Sequence, residues 1–219
     1  MDDLALLARS ELFSSFAPAE LDAVLAGSDT ASVERGTVIF AAGDPATELF
    51  VVRSGRVAIG RRSPDGRESL VALMEAGDLF GELALFDDGP RSASARALEA
   101  SELLRIPYGP VRACIDTHPA LLWDVVDLLA GRLRATDSAL ADAVFLDVTG
   151  RTAKRLLEVA GDADEFQLPI TQEELAGLVG ASRERVNKAI AAFVRLGWIE
   201  QYDRRYRILA RERLEQRSR

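Results

Sequence analysis

Apolar positions in the first 26 residues recur at helical spacing. Leu4, Leu7, Leu12, Leu21 and Leu25 follow one pattern, broken near Ala17-Pro18. From Thr37 the pattern shortens into β-prone runs. Thr37-Val38-Ile39-Phe40 ends at Gly43-Asp44-Pro45, and Leu49-Phe50-Val51-Val52 and Val57-Ala58-Ile59 flank the turn signal Arg53-Ser54-Gly55. A further turn, Ser63-Pro64-Asp65-Gly66, precedes Leu70-Val71-Ala72-Leu73-Met74 and then Ala76-Gly77-Asp78. Short strands with Gly/Asp/Pro turns roughly every 8–12 residues predict an antiparallel sandwich or roll. Val111 to Ile115 reads as a short helical element.

The pattern changes at Pro119, which suits the first turn of a helix. Leu122, Val126, Leu129, Leu133, Thr136, Leu140 and Ala143 are spaced 4, 3, 4, 3, 4 and 3. That is an a/d seam over about three heptads, as in a helix that pairs with its own copy. A helix packed on its own domain is the alternative. Thr136 is the polar member of the seam: it sets register, meets something, or bonds back to its own helix. Phe145-Leu146-Asp147-Val148-Thr149-Gly150 reads as a joint, 151–160 as helix, and Gly161-Asp162-Ala163-Asp164-Glu165 as a polar loop.

Thr171 and Glu174 then form a T-x-x-E capping box, with Leu175, Leu178 and Val179 as the apolar stripe behind it. Gly180-Ala181 makes a tight turn, and Ser182 can cap a second helix. Val186, Ile190, Phe193 and Val194 are spaced to be buried, whereas Arg183, Glu184, Arg185, Asn187 and Lys188 lie away from that face. Gly197 is a stop, and Trp198 to Tyr202 and Arg205 to Ile208 flank Asp203-Arg204 as a hairpin wing. Together these predict a winged helix-turn-helix, the alternative being a helical hairpin with a solvated charged face. Arg183 suits guanine O6/N7 and Glu184 suits cytosine N4, while Thr171, Ser182 and Arg185 suit phosphates.

Net charge is −8, which argues against a chain coated for nucleic acid. It is unevenly placed, however. Residues 1–149 hold 13 Lys/Arg against 24 Asp/Glu, and residues 150–219 hold 14 against 11. The basic part is the expected anion partner. The single cysteine, Cys114, and single histidine, His118, are too few for a Cys/His zinc site or a four-cysteine cluster. No apolar run approaches the ~20 residues of a membrane span. The acidic start MDDLALLARSEL has no basic signal-peptide region, so the cytoplasm is expected. A metal-dependent barrel enzyme would need several histidine or carboxylate ligands, and neither a nucleophile–base pair nor a P-loop is present. An enzyme is therefore not expected.

One stretch carries other chemistry. GDLFGELALFDDGPRS spans 77–92 and holds a lone carboxylate, Glu82, near a lone guanidinium, Arg91. Gly81 lets backbone approach a ligand, and residues 82–85 form a helical turn that offers N–H groups, Leu83 included, to an anion. Arg91 can pair with a phosphate and Ser92 can add a hydroxyl. A ribose-phosphate site and a partly buried Glu82–Arg91 salt bridge fit this spacing equally.

The chain resembles the CRP/FNR family of bacterial transcription regulators, and within it the cAMP receptor branch. The resemblance runs from Phe13 to the wing and is carried by GDLFGELALFDDGPRSASARA, the long helix, FLDVTGR and TQEELAGLVGASRERVNK in that order. It implies an α+β chain: a cyclic-nucleotide-binding antiparallel β-roll over 1–117, a dimerisation helix over 118–146, and a winged helix-turn-helix over 147–219. By the same resemblance Glu82 meets the ribose 2′-hydroxyl, and Gly81, Arg91 and Ser92, with Leu83 beside them, hold the cyclic phosphate. Thr136 meets the adenine. Asp137 stands where the family has a serine reaching from the other subunit. Arg183 and Glu184 match the family's base readers, Lys188 replaces an arginine, and Arg185 replaces a threonine. The implied partners are palindromic DNA with TGTGA-like half-sites, a second copy joined through 119–144, and RNA polymerase. The implied ligand is cAMP, with no metal, haem or iron–sulfur cluster. A regulator that is ligand-independent or senses another small effector is the alternative.

Overall fold

The computed structural model describes residues 2–62 and 68–219, the side chains of 62 and 68 excepted, so the turn expected at Ser63-Pro64-Asp65-Gly66 lies outside the described residues. The chain forms two compact units that part after Leu133, with 68–70 grouped with the second.

In the first unit, α1 (Asp3–Leu7), a 3-10 turn (Glu11–Phe13) and α2 (Pro18–Leu25) realise the N-terminal helical pattern, with Pro18 in the first turn of α2. The strands are β1 (Asp29–Val33), β2 (Val38–Phe40), β3 (Glu48–Ser54), β4 (Val57–Arg62), β5 (Glu68–Met74), β6 (Leu79–Phe80), β7 (Ser94–Ala97) and β8 (Ser101–Pro107). They form two antiparallel sheets, ordered β1-β8-β3-β6 and β2-β7-β4-β5. After β6 comes the short α3 (Leu83–Asp87), and after β8 comes α4 (Tyr108–Thr117), longer than the Val111–Ile115 expected.

β3 is apolar at four successive positions because both its faces are covered. Leu49 and Val51 join Leu104 and Ile106 of β8 against α1, α2 and α4, while Phe50 and Val52 point with Leu103 into the space between the sheets. Each such buried side chain contributes about 1.5–3 kcal/mol. Strands β1, β7 and β8 were not evident in the pattern. β7 reads Ser-Ala-Arg-Ala, and its Ala95 and Ala97 are fully buried.

A 3-10 turn (Pro119–Leu121) leads into α5 (Leu122–Phe145), the long helix expected from the seam. Leu121, Val125 and Leu128 are buried in the core of the roll. The seam lies on other positions: Leu122 and Val126 are about half exposed, and Leu133 and Leu140 are 62% and 64% exposed. The helix therefore packs on its own roll with one face, which Leu129 of the seam partly joins, and leaves the other heptad positions exposed.

Past the end of α5 the second unit continues from an N-cap. Asp147 Oδ1 accepts from the Gly150 backbone N–H at 2.8 Å and starts α6 (Val148–Ala160). The joint expected over 145–150 thus shrinks to Leu146-Asp147, because the cap draws Val148-Thr149-Gly150 into helix. Then follow β9 (Glu165–Gln167), α7 (Gln172–Val179), α8 (Arg183–Arg195), β10 (Ile199–Tyr202), β11 (Arg205–Ile208) and α9 (Arg211–Arg217). The wing is a sheet ordered β10-β11-β9, with Tyr202 opposite Arg205. Val194, expected inside, is 42% exposed. It stands eight residues past buried Val186, about 80° round the helix, and Phe193 takes the inner position, stacked on Trp198 at 5.6 Å.

Candidate functional site

Gly81 adopts φ +81°, and a Cβ there would lie 2.6 Å from Arg91 Nη1. Only glycine relieves both constraints. Its carbonyl accepts from Arg91 Nη1 at 2.7 Å and from the Tyr108 hydroxyl. Arg91 also donates to the Tyr108 oxygen at 3.2 Å, and its Cζ sits 4.1 Å from the Phe40 ring centroid. Its backbone is held by Arg91 N–H to Asp44 O at 2.9 Å and Gly43 N–H to Arg91 O at 2.8 Å. The guanidinium lies against Phe40 and Phe50, which cluster with Phe80 at centroid distances of 5.1 to 6.0 Å.

Glu82 stands at the N-cap position of α3 without a side-chain capping bond, and has no exposed surface. Its Oε1 accepts from Arg132 Nη1 of α5 at 2.5 Å, and Arg132 Nη2 donates to Leu79 O at 2.8 Å. Burial pushes the Glu82 carboxyl up; the positive charges of Arg132 and, more weakly, Arg91 oppose this without cancelling it. The salt bridge that spacing allowed between Glu82 and Arg91 does not form: Arg132, 50 positions on, takes the carboxylate, and Arg91 turns to Gly81 and Tyr108. Glu82 Oε2 and Arg91 Nε are both buried without a hydrogen-bond partner. An unmade bond at a buried polar atom costs about 1–3 kcal/mol, more at a charged one.

These side chains line one open cavity with about 400 Å³ of empty space, its mouth included. It brings together Gly81, Glu82, Leu83, Arg91 and Ser92, five of the residues expected from the sequence, and adds Phe40 and Arg132. Thr136 and Asp137 belong to the second unit, on exposed turns of α5, and are not among the lining residues. Sequence reasoning missed Arg132, Tyr108 and Phe40. A long basic residue next to seam residue Leu133 was the available signal for the first; nothing local marked the other two.

In the second unit Thr171 and Glu174 form the expected box: Thr171 Oγ1 accepts from Glu174 N–H at 3.2 Å, and Glu174 Oε2 accepts from Thr171 N–H at 2.7 Å. Gly180 ends α7 at φ +68°, and Ser182 Oγ accepts from Arg185 N–H at 3.4 Å to open α8. Ser182, Arg183, Glu184, Arg185 and Lys188 are all exposed, and Thr171 is half-buried at the foot of α7. Glu184 pairs with Lys188 at 2.7 Å, which holds its carboxyl below the usual range. The face is thus a short ordered helix end carrying donors and one acceptor.

Cys114 is buried, and His118 Nδ1 meets Glu20 Oε1 at 2.6 Å. Among the described residues no group of three His/Cys/Asp/Glu is arranged to hold a metal, and no helix is long and apolar enough to cross a membrane.

The family model of a cyclic nucleotide-binding domain matches residues 30–118, and that of a Crp-like helix-turn-helix domain matches 150–217. The chain is 41% identical over 226 aligned positions to a CRP-like cAMP-activated global transcriptional regulator of Mycobacterium tuberculosis, covering 100% of both chains. It is 37% identical over 188 positions to a cyclic AMP receptor protein of Thermus thermophilus, covering 86% of this chain and 87% of that one. Among solved structures, the c-di-GMP-responsive global regulator CLP of Xanthomonas campestris aligns with a TM-score of 0.76 at 27% identity, over 88% of this chain and 99% of that one.

Proposed function

The chain belongs to the CRP/FNR family of transcription regulators, and from that premise we propose that it is a homodimer that binds cAMP in the roll cavity and then reads paired half-sites on DNA. The observation that carries this reading is the pair of unmade bonds. A buried carboxylate oxygen and a buried guanidinium N–H, on two residues lining one cavity, suit a ligand with a hydroxyl at one end and an anion at the other. The ribose 2′-hydroxyl would donate to Glu82 Oε2. The cyclic phosphate would take Arg91, the Ser92 hydroxyl and the Leu83 N–H. Thr136 and Asp137 would meet the adenine, whose N6 amine a carboxylate can accept from, whereas guanine O6 would face it acceptor to acceptor. The uncovered heptad face of α5 supplies the surface for the second copy.

On the DNA side, Arg183 and Glu184 would read a G·C pair each, with Lys188 beside them and Thr171, Ser182 and Arg185 on phosphates. Two such helices one DNA turn apart, about 34 Å, would meet a palindrome of TGTGA-like half-sites.

Calorimetric titration of cAMP into the wild type and Arg91→Ala tests the site. The variant should lose about 2 kcal/mol or more of binding free energy, while sedimentation shows the same oligomer. Equal affinity in the two proteins contradicts the assignment.

A further inference from the structure

The structure assigns Asn187 of α8 as a further reader of DNA sequence, one that selects adenine. This rests on the DNA-reading function proposed above. Arg183 and Asn187 stand at i and i+4, as do Glu184 and Lys188 beside them, so the two pairs lie next to each other on the helix surface. Arg183, Glu184 and Lys188 are exposed there and Asn187 is half-buried. The Asn187 Oδ1 is buried without a hydrogen-bond partner. An amide oxygen turned in with no donor to meet leaves a bond unmade. A turn of the side chain toward a groove relieves it.

Adenine fits what the amide needs. In the major groove it presents the N6 amine as donor and N7 as acceptor, and an asparagine amide meets both at once. Guanine presents two acceptors, cytosine a donor alone, and thymine an acceptor beside a methyl, so each leaves one end of the amide unmatched. A phosphate is the weaker alternative partner, because it offers only acceptors and would leave the amide oxygen without a donor. The face is better suited to base edges. Asn187 lies one turn beyond Arg183, about 6 Å along the helix, so the adenine is expected in the same half-site as the pair that Arg183 reads.

The test uses the full-length protein with cAMP and a duplex selected by the wild type from a randomised palindrome pool, at fixed salt. Binding is measured for wild type, Asn187→Ala and Arg183→Ala on that duplex, on single base-pair changes, and on a duplex with 7-deazaadenine at the candidate position. The wild type should lose about 5- to 150-fold when that adenine is replaced, the range of a good bidentate pair. It should also lose affinity with 7-deazaadenine, and Asn187→Ala should be indifferent to both changes. Asn187→Ala discriminating as the wild type does, or weakening on every duplex alike with discrimination kept, overturns the inference. If Arg183→Ala alters base choice while Asn187→Ala does not, only the Asn187 role fails. If the wild type selects no sequence, the DNA-reading function fails with it.

Discussion

A carboxylate with no exposed surface must be paired or hold its proton, and Glu82 is caught between the two. Arg132 satisfies one oxygen and the other is left bare. Burial raises the carboxyl above its ordinary value of 4.5 in spite of that pairing. The shift is a cost to the fold. Above 4.5 the unfolded chain ionises more readily than the folded one, so stability falls as pH rises through the window up to the raised value. A ribose hydroxyl donating to Oε2 favours the ionised form and lowers the pKa again. Binding of cAMP should then release protons between the bound and free values, and affinity should weaken as pH falls through the raised one. Calorimetry in two buffers of different ionisation enthalpy measures that release; Glu82→Gln should remove it. Proton uptake, or release unchanged in Glu82→Gln, contradicts the assignment. At this scale the sequence showed the two ends of the site, since Glu82 and Arg91 lie nine positions apart in one loop. It did not show Arg132, because the pairing depends on α5 folding back beside β6, and no local pattern encodes that.

Helix α5 carries apolar residues on two sides. Val125 and Leu128 bury one face in the roll, and the heptad positions Leu133 and Leu140 stay exposed on another. The 3.5-residue repeat was legible because it is local. That the face packed on the roll is largely a different one from the heptad face was not, since a helix with two apolar sides does not say which covers what. The same limit hid β7, whose Ser-Ala-Arg-Ala run owes its place to pairing with β2 and β4. The helix-turn-helix, by contrast, was legible almost residue by residue, because caps and turns are written in adjacent side chains. The uncovered seam predicts a dimer at micromolar concentration without ligand. Leu133→Asp with Leu140→Asp should dissociate it while leaving the roll folded, because each exposed leucine gains about 1.5–3 kcal/mol only on being covered. Sedimentation equilibrium checks this; a monomeric wild type, or an unaltered dimer in the double variant, contradicts it.

Across the whole molecule the charge divides as the proposed tasks do, acidic up to residue 149 and basic beyond it. The matched family domains divide the same way, cyclic nucleotide-binding over 30–118 and helix-turn-helix over 150–217. The account's central claim is that the two are coupled: cAMP must bind the DNA-competent state better than the other, by the ~1–3 kcal/mol typical of allosteric coupling. The most direct measurement follows fluorescence anisotropy of a TGTGA-type palindrome at fixed salt while cAMP, cGMP or c-di-GMP is titrated into the protein. The account predicts that cAMP tightens binding about 5- to 150-fold on the palindrome and not on a scrambled duplex, that cGMP and c-di-GMP do so far less, and that Arg91→Ala does not respond. Equal affinity with and without cAMP, or the same gain on scrambled DNA, would contradict it.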